Sequence, residues 1–63
     1  MGMISFRYLV TRMLLNKPED VAELSLEKID RVLAITGQDE LSAESCAIII
    51  MTAESELERN KKC

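Results

Sequence analysis

Residues 41–60 read LSAESCAIIIMTAESELERN, and their apolar members recur at intervals of three and four positions. This spacing is typical of a helix that packs along another helix. The stripe consists of Ala43, Cys46, Ile50, Ala53 and Leu57. Ile48, Ile49 and Met51 add apolar surface outside the stripe, and a chain of 63 residues has little other structure to cover it. We therefore expect a second copy of the protein to cover this helix.

Chain length and cysteine content favour a single small domain that gains stability by association. A lone core in so short a chain supplies roughly a few kcal/mol at best. Cys46 lies on the apolar stripe and Cys63 follows a charged tail, so we expect two free thiols. Histidine is absent, and two isolated cysteines cannot complete a tetrahedral zinc shell. We expect one domain over residues 1–63, frayed at 1–2 and 61–63, with no metal and no cofactor.

Charge and hydropathy indicate a cytoplasmic protein. The formal net charge of -3 disfavours non-specific binding to nucleic acid and to anionic membrane surfaces. Residues 4–10 are apolar but contain Arg7, and they lack the continuous apolar centre of a signal peptide. The uncharged run at residues 45–53 is far too short to span a membrane.

The N-terminal segment fits two periodicities. Helical spacing relates Phe6, Leu9, Val10, Met13 and Leu14, whereas Ile4, Phe6, Tyr8 and Val10 alternate as in a strand. Composition favours the strand, because isoleucine, phenylalanine, tyrosine, valine and threonine all suit pleated structure. We predict a strand at Ile4–Thr11. Since one strand has no partner within the chain, we expect it to pair with its own copy in a dimer.

Two helices are predicted after this strand. The first begins at Pro18 or after Ser25. It ends near Thr36, because Gly37 readily adopts the left-handed conformation that closes helices. Ser42 is a suitable N-cap for the second helix. The predicted fold is thus α+β, with one N-terminal strand and two helices per chain in an intertwined homodimer with an intermolecular core. Its predicted dimer-interface residues are Ile4, Phe6, Tyr8, Val10, Ala43, Cys46, Ile50, Ala53 and Leu57.

The side chains indicate a binding function rather than catalysis. Carboxylates are plentiful but fall on polar helix faces, Cys46 has no histidine partner, and no glycine-rich phosphate loop occurs. Four apolar residues flank the two packing faces and form a candidate cleft for an amphipathic helix of a partner protein: Leu24, Ile35, Ile48 and Met51. We therefore expect a non-enzymatic interaction module.

The order strand, helix, glycine-containing turn and helix resembles ribbon-helix-helix repressors, around residues 25–37 and 42–54. In such repressors paired strands enter the major groove of DNA. Ser5, Arg7 and Thr11 would then face the bases. Leu9 on the same side and the acidic composition argue against this function. A DNA-binding regulator of this type is the alternative to the interaction module.

Two stretches, MISFRYLVTRMLLNKPEDVAELSLEKIDRVLAITG and SAESCAIIIMTAESELERNKK, cover nearly the whole chain. They resemble a small early-region protein family of lambdoid temperate phages, encoded between the excisionase and exonuclease genes. The resemblance lies in the overall sequence and carries over no catalytic residues. It implies a protein made early in infection, in the bacterial host cytoplasm, that biases development toward lysis through an unidentified host or phage protein.

Overall fold

The computed structural model describes residues 5–61, and these residues form three helices. Helix α1 spans Phe6–Leu14, α2 spans Glu19–Thr36 and α3 spans Ala43–Lys61. No strand occurs within residues 5–61. The predicted α+β class with a strand at Ile4–Thr11 is therefore wrong, and the described chain is all-helical; Ile4 itself lies outside the described residues.

Helix α1 forms where a strand was predicted because a helix needs no partner. The Ser5 hydroxyl accepts a hydrogen bond from the backbone N–H of Tyr8 (3.4 Å), and the Ser5 carbonyl accepts one from Leu9 (2.9 Å). A helix pairs its backbone groups locally, whereas a lone strand leaves both edges unpaired. The helical period also buries Val10 and Leu14 together, while Tyr8, which a strand would place beside Val10, is 52% exposed.

The boundaries of the two longer helices agree with the sequence signals. Helix α2 begins directly after Pro18, and the Asp20 carboxylate accepts a hydrogen bond from the Val21 N–H at 2.8 Å. It ends at Gly37, whose φ of 72° is left-handed, as predicted. The Ser42 hydroxyl accepts a hydrogen bond from the Ser45 N–H at 3.2 Å, which confirms the predicted cap of α3.

Helices α2 and α3 lie antiparallel, and α1 packs on one side of the pair. An ion pair between Lys28 Nζ and Glu56 Oε2 (2.7 Å) joins the middle of α2 to the second half of α3. The core draws on all three helices and comprises Val10, Leu14, Val21, Ile29, Cys46 and Ile50. Each helix thus contributes two of these buried side chains.

The predicted intermolecular core is therefore replaced by a core within one chain. Val10, Cys46, Ile50 and Ala53 are buried without any second copy. Phe6 and Leu57 are half-buried against this core, and Tyr8 and Ala43 are exposed. The predicted apolar stripe of α3 is confirmed for Cys46, Ile50, Ala53 and Leu57 but not for Ala43, and α1 and α2 of the same chain cover it.

Candidate functional site

The predicted partner-binding residues are among the most exposed apolar side chains of the described chain. Ile48 is 63% exposed, Met51 is 64% exposed and Ile35 is 76% exposed. Leu24 is half-buried. Since the core is complete without Ile35, Ile48 and Met51, packing within one chain gives no reason for these three residues to be apolar.

Helix geometry places the two predicted residues of α2, Leu24 and Ile35, on one stripe of that helix. Leu24, Lys28, Arg31 and Ile35 follow one another at intervals of four, three and four residues along a single stripe of α2. The two helices run antiparallel, because residues 18–21 share a depression with residues 54–61 and residues 28–32 share another with residues 49–52.

Two adjacent depressions form on this side and meet at Thr52. One lies between the helices and is lined by Lys28, Arg31, Val32, Ile49 and Thr52. The other runs along α3 and is lined by Ile48, Met51, Thr52, Ser55, Glu56 and Arg59. We call the surface that runs over the outer side of α3 and across to this edge of α2 the open face. We define it by its apolar residues Ile35, Ile48 and Met51 and its basic residues Lys28, Arg31 and Arg59.

Helix α1 lies on the opposite side of the pair. A separate depression there is lined by Phe6 and Val10 of α1 together with Leu26 and Ile29 of α2. Leu26 and Lys28 are separated by about 160° around the helix, because consecutive residues are rotated by about 100°. The open face therefore has no helix of the described chain packed over it.

Basic side chains surround the only carboxylate that lines the two depressions of the open face. The hydrogen bond from Lys28 lowers the pKa of Glu56, and the charge of Lys28 lowers it further, with smaller contributions from Arg59 and Arg31. Glu56 is thus held as a carboxylate among three cations. Other carboxylates lie on the same exposed stripes. Glu27 precedes Arg31 by four residues, and Glu44 and Glu58 lie seven residues before and after Met51.

The described residues hold no arrangement that suggests catalysis or metal binding. Cys46 is fully buried, and burial raises the pKa of its thiol, which opposes formation of a nucleophilic thiolate. Between residues 5 and 61, no three potential metal ligands of the types histidine, cysteine, aspartate and glutamate lie together.

Of the residues predicted to read DNA bases, Arg7 and Thr11 lie together on one side of α1, in the depression that it shares with α2. Ser5 caps the helix, and Arg7 lines the depression between α1 and α2. Arg12 Nη1 instead donates a hydrogen bond to the Tyr8 hydroxyl at 3.1 Å, with the guanidinium 5.7 Å from the ring centroid. A ribbon-helix-helix fold requires a strand in this segment, but residues Phe6–Leu14 form a helix.

Comparisons with protein-family models, with curated proteins and with solved structures gave no match to this chain. Of the three helices in residues 5–61, none is both long enough and apolar enough to cross a membrane. The function is therefore argued from the geometry of the open face.

The basic residues of the open face were not predicted from the sequence. The predicted cleft comprised Leu24, Ile35, Ile48 and Met51 and no basic residue. The signal was present in the spacing, because Lys28 and Arg31 lie four and seven residues after Leu24 on the same stripe. Only the direction in which α2 and α3 pair brings that stripe beside Ile49 and Thr52.

Proposed function

We propose that this chain is a non-enzymatic accessory protein of a temperate phage that acts early in infection, in the host cytoplasm, by binding another protein. The open face is its binding site. Binding there biases infection toward lytic development, as the resemblance to the lambdoid early proteins implies. The observation that supports the proposal most directly is the exposure of Ile35, Ile48 and Met51 in a chain whose core is already complete.

The energetics favour a binding role for these side chains. Full burial of one isoleucine or methionine side chain contributes roughly 1.5–3 kcal/mol. Left uncovered, such side chains contribute little to folding and add a risk of aggregation. Methionine is unbranched and adapts its shape to an irregular surface, which suits a contact that forms and dissociates.

The test is to remove the apolar groups of the open face without disturbing the fold. The double variant Ile48→Gln/Met51→Gln retains good helix formers at exposed positions, so its Tm should stay close to that of the wild type. The matched control is Leu15→Gln, an equally apolar side chain that is 68% exposed at the end of α1.

The readout is the fraction of infected cells that become lysogens when each variant is expressed in the bacterial host. The wild type and Leu15→Gln should lower that fraction, and the double variant should not. If the double variant keeps the full effect with an unchanged Tm, the open face is not the binding site. If the wild type has no effect, the proposed role in lytic development is wrong.

A homodimer is the second candidate, and it is favoured by apolar surface on the side of α1. Tyr8 and Leu15 are seven residues apart, so they lie on one side of α1, and they are 52% and 68% exposed. Two copies that associate there would bury aromatic and aliphatic side chains that are exposed to solvent in the monomer. So short a chain gains stability by such association. This contact leaves the open face accessible.

Sedimentation equilibrium tests the homodimer. The wild type and Met51→Gln should be dimers at micromolar concentration, whereas Tyr8→Gln should be a folded monomer. Thermal stability of the wild type should also rise with protein concentration, because association and folding are linked. A wild-type protein that sediments as a folded monomer at micromolar concentration would rule the homodimer out.

A further inference from the structure

The two helices that flank the depression on the side of α1 carry charges of opposite sign. Residues 1–18 contain Arg7, Arg12 and Lys17 and no carboxylate. Four exposed carboxylates share an arc of about 80° around α2, and no basic residue lies within that arc. These carboxylates are Glu19, Glu23, Glu27 and Asp30. One side of the molecule therefore presents a basic helix beside an acidic helix.

The charges that face each other across this depression are unpaired within the described chain. Arg7 and Asp30 both line the depression between α1 and α2, but neither forms an ion pair with any other residue between 5 and 61. Arg12 contacts the Tyr8 ring and hydroxyl rather than a carboxylate. Lysine side chains, by contrast, form ion pairs with carboxylates of α3. Arg7 and Asp30 are therefore available to a partner.

Apolar side chains lie between the basic edge and the acidic edge. Phe6 and Val10 line the α1 side of the depression, and Leu26, which is 45% exposed, lines its α2 side. Tyr8 and Leu15 extend the apolar surface over the outer side of α1, and both are exposed. An apolar centre with a charged rim is the usual composition of a protein–protein interface.

We propose that a second copy of the chain covers this side, with α1 of each copy packed on α2 of the other. A partner of a single charge would be attracted by one edge and repelled by the other, because a nucleic acid would meet Asp30 and a basic peptide would meet Arg7. A second copy presents both signs at the same spacing. This inference rests on the homodimer given above as the second candidate and adds which helices and charges pair.

Two-fold symmetry allows two ways of placing the copies face to face, and the charges distinguish them. An axis perpendicular to the helices sets α1 on α1 and α2 on α2, which opposes like charges. An axis parallel to the helices sets α1 on α2 of the other copy at two equivalent places, which joins opposite charges. This second arrangement also brings the two depressions together, so that four helices surround one apolar centre. The charges therefore select the parallel axis.

The level of each residue along that axis predicts the intermolecular ion pairs. Rotation about an axis parallel to the helices leaves every residue at its own level. Arg7 and Asp30 line one depression, so Arg7 of each copy faces Asp30 of the other. A short connection joins α1 to α2, so the two helices run antiparallel. Arg12 lies about 7.5 Å further along α1, between the levels of Glu27 and Glu23 of the other copy at about 4.5 and 10.5 Å.

Two charge-reversal variants test the pairing of Arg7 with Asp30. In a homodimer of Arg7→Glu, two pairs of carboxylates face each other, and in a homodimer of Asp30→Arg, two pairs of guanidinium groups face each other. A heterodimer of the two variants has one original pair and one reversed pair, and both pairs have opposite charges. Both positions are exposed and both replacements are good helix formers, so each variant should retain the fold.

Sedimentation equilibrium measures the dissociation constants, and native mass spectrometry identifies the heterodimer by its mass. Each variant alone should dimerise about a hundredfold more weakly than the wild type, because each of the two repelling pairs weakens association about tenfold. The equimolar mixture should form heterodimers with an affinity within about fivefold of the wild type. Arg59→Glu is the matched control, because it makes the same change of charge on α3, away from α1, and should leave the dissociation constant unchanged.

Rescue in the mixture cannot arise within one chain, so it separates the intermolecular pair from a contact across the depression of a single copy. If the mixture associates no better than the single variants, the inference is overturned. It is also overturned if the single variants dimerise as tightly as the wild type. A wild type that stays a folded monomer overturns both the homodimer and this inference.

The salt dependence of the wild-type dimer provides a test that needs no variant, should either substitution lower the Tm. Raising the NaCl concentration from about 50 mM to about 500 mM should weaken the dimer at least about tenfold, because four or more charge pairs lie at its exposed edges. A dimer whose affinity does not change with salt would overturn the inference. The open face is judged separately, by the lysogeny assay of Ile48→Gln/Met51→Gln.

Discussion

Ser25→Ala is expected to stabilise the protein, because the Ser25 hydroxyl is buried without a hydrogen-bond partner. The residue is fully buried in α2, and its oxygen meets no donor or acceptor. An unsatisfied buried polar group costs roughly 1–3 kcal/mol. Alanine is also a better helix former than serine by about 0.5 kcal/mol. The small void left by the lost oxygen opposes part of this gain, so we expect a net stabilisation of about 1–2 kcal/mol.

Urea unfolding followed by circular dichroism measures this effect as a higher midpoint with an unchanged slope. In a domain of this size, a gain of 1–2 kcal/mol corresponds to a rise in Tm of about 4–16 °C. Ser55→Ala is the matched control, because Ser55 is exposed on α3 and its replacement reports helix propensity alone. If Ser25→Ala stabilises no more than Ser55→Ala, or destabilises, the hydroxyl is satisfied in solution and our reasoning about it is wrong.

Three further predictions concern the turn, the ion pair and the buried thiol. Gly37→Ala should be less stable than Gly37→Asn in urea unfolding, because asparagine tolerates the left-handed φ of 72° better than alanine does. No atom lies within 4 Å of an added Cβ, so the comparison reports backbone conformation alone. Equal stabilities of the two variants would contradict this prediction. The Lys28 ion pair lowers the pKa of Glu56 in the folded state, so its contribution to stability is complete above the usual carboxyl pKa of about 4.3 and is lost as the pH falls through the lowered value. Between neutral and acidic pH, the Tm of Lys28→Met should therefore fall less than the Tm of the wild type. Parallel curves of Tm against pH for the two proteins would refute this prediction. In a Cys63→Ser background, Cys46 should react with a thiol reagent far more slowly in buffer than in urea, because it is fully buried; equal rates would exclude that burial.

The two long helices could be predicted from the sequence because several local signals agree. In α3 the apolar stripe through Cys46, Ile50 and Ala53 has one period throughout, and Ser42 caps its start. In α2 the end is marked by Gly37, which has the conformation expected of it. Where periodicity and capping indicate the same boundaries, the ends of the helix depend little on tertiary contacts.

Helix α1 and the location of the core could not be predicted in this way. The segment Phe6–Leu14 is short and rich in strand formers, so its structure depends on whether a partner strand exists. The apolar surface of α3 was judged too large for one chain. Ser25, Cys46 and Ala53 are all small and all fully buried, however, and their size allows α2 and α3 to approach closely enough to cover that surface.

For the candidate site, the apolar half was predictable and the basic half was not. Ile48 and Met51 lie outside the apolar stripe of α3, and this position predicts that they are exposed to solvent. Arg31 lies among acidic residues in the sequence of α2. The antiparallel pairing with α3 places it beside Thr52.

The order in which the helices pack also has a consequence for the rate of folding. Helices α2 and α3 are neighbours in sequence and are joined only by residues 37–42, so most of the core forms between segments that are close along the chain. Such a low contact order is associated with folding in microseconds to milliseconds. The modest stability of so small a domain then implies that unfolding is rapid as well. The protein would pass through its unfolded state many times during its cellular lifetime, and proteases would degrade it from that state. Its abundance in the cell would accordingly follow its rate of synthesis closely.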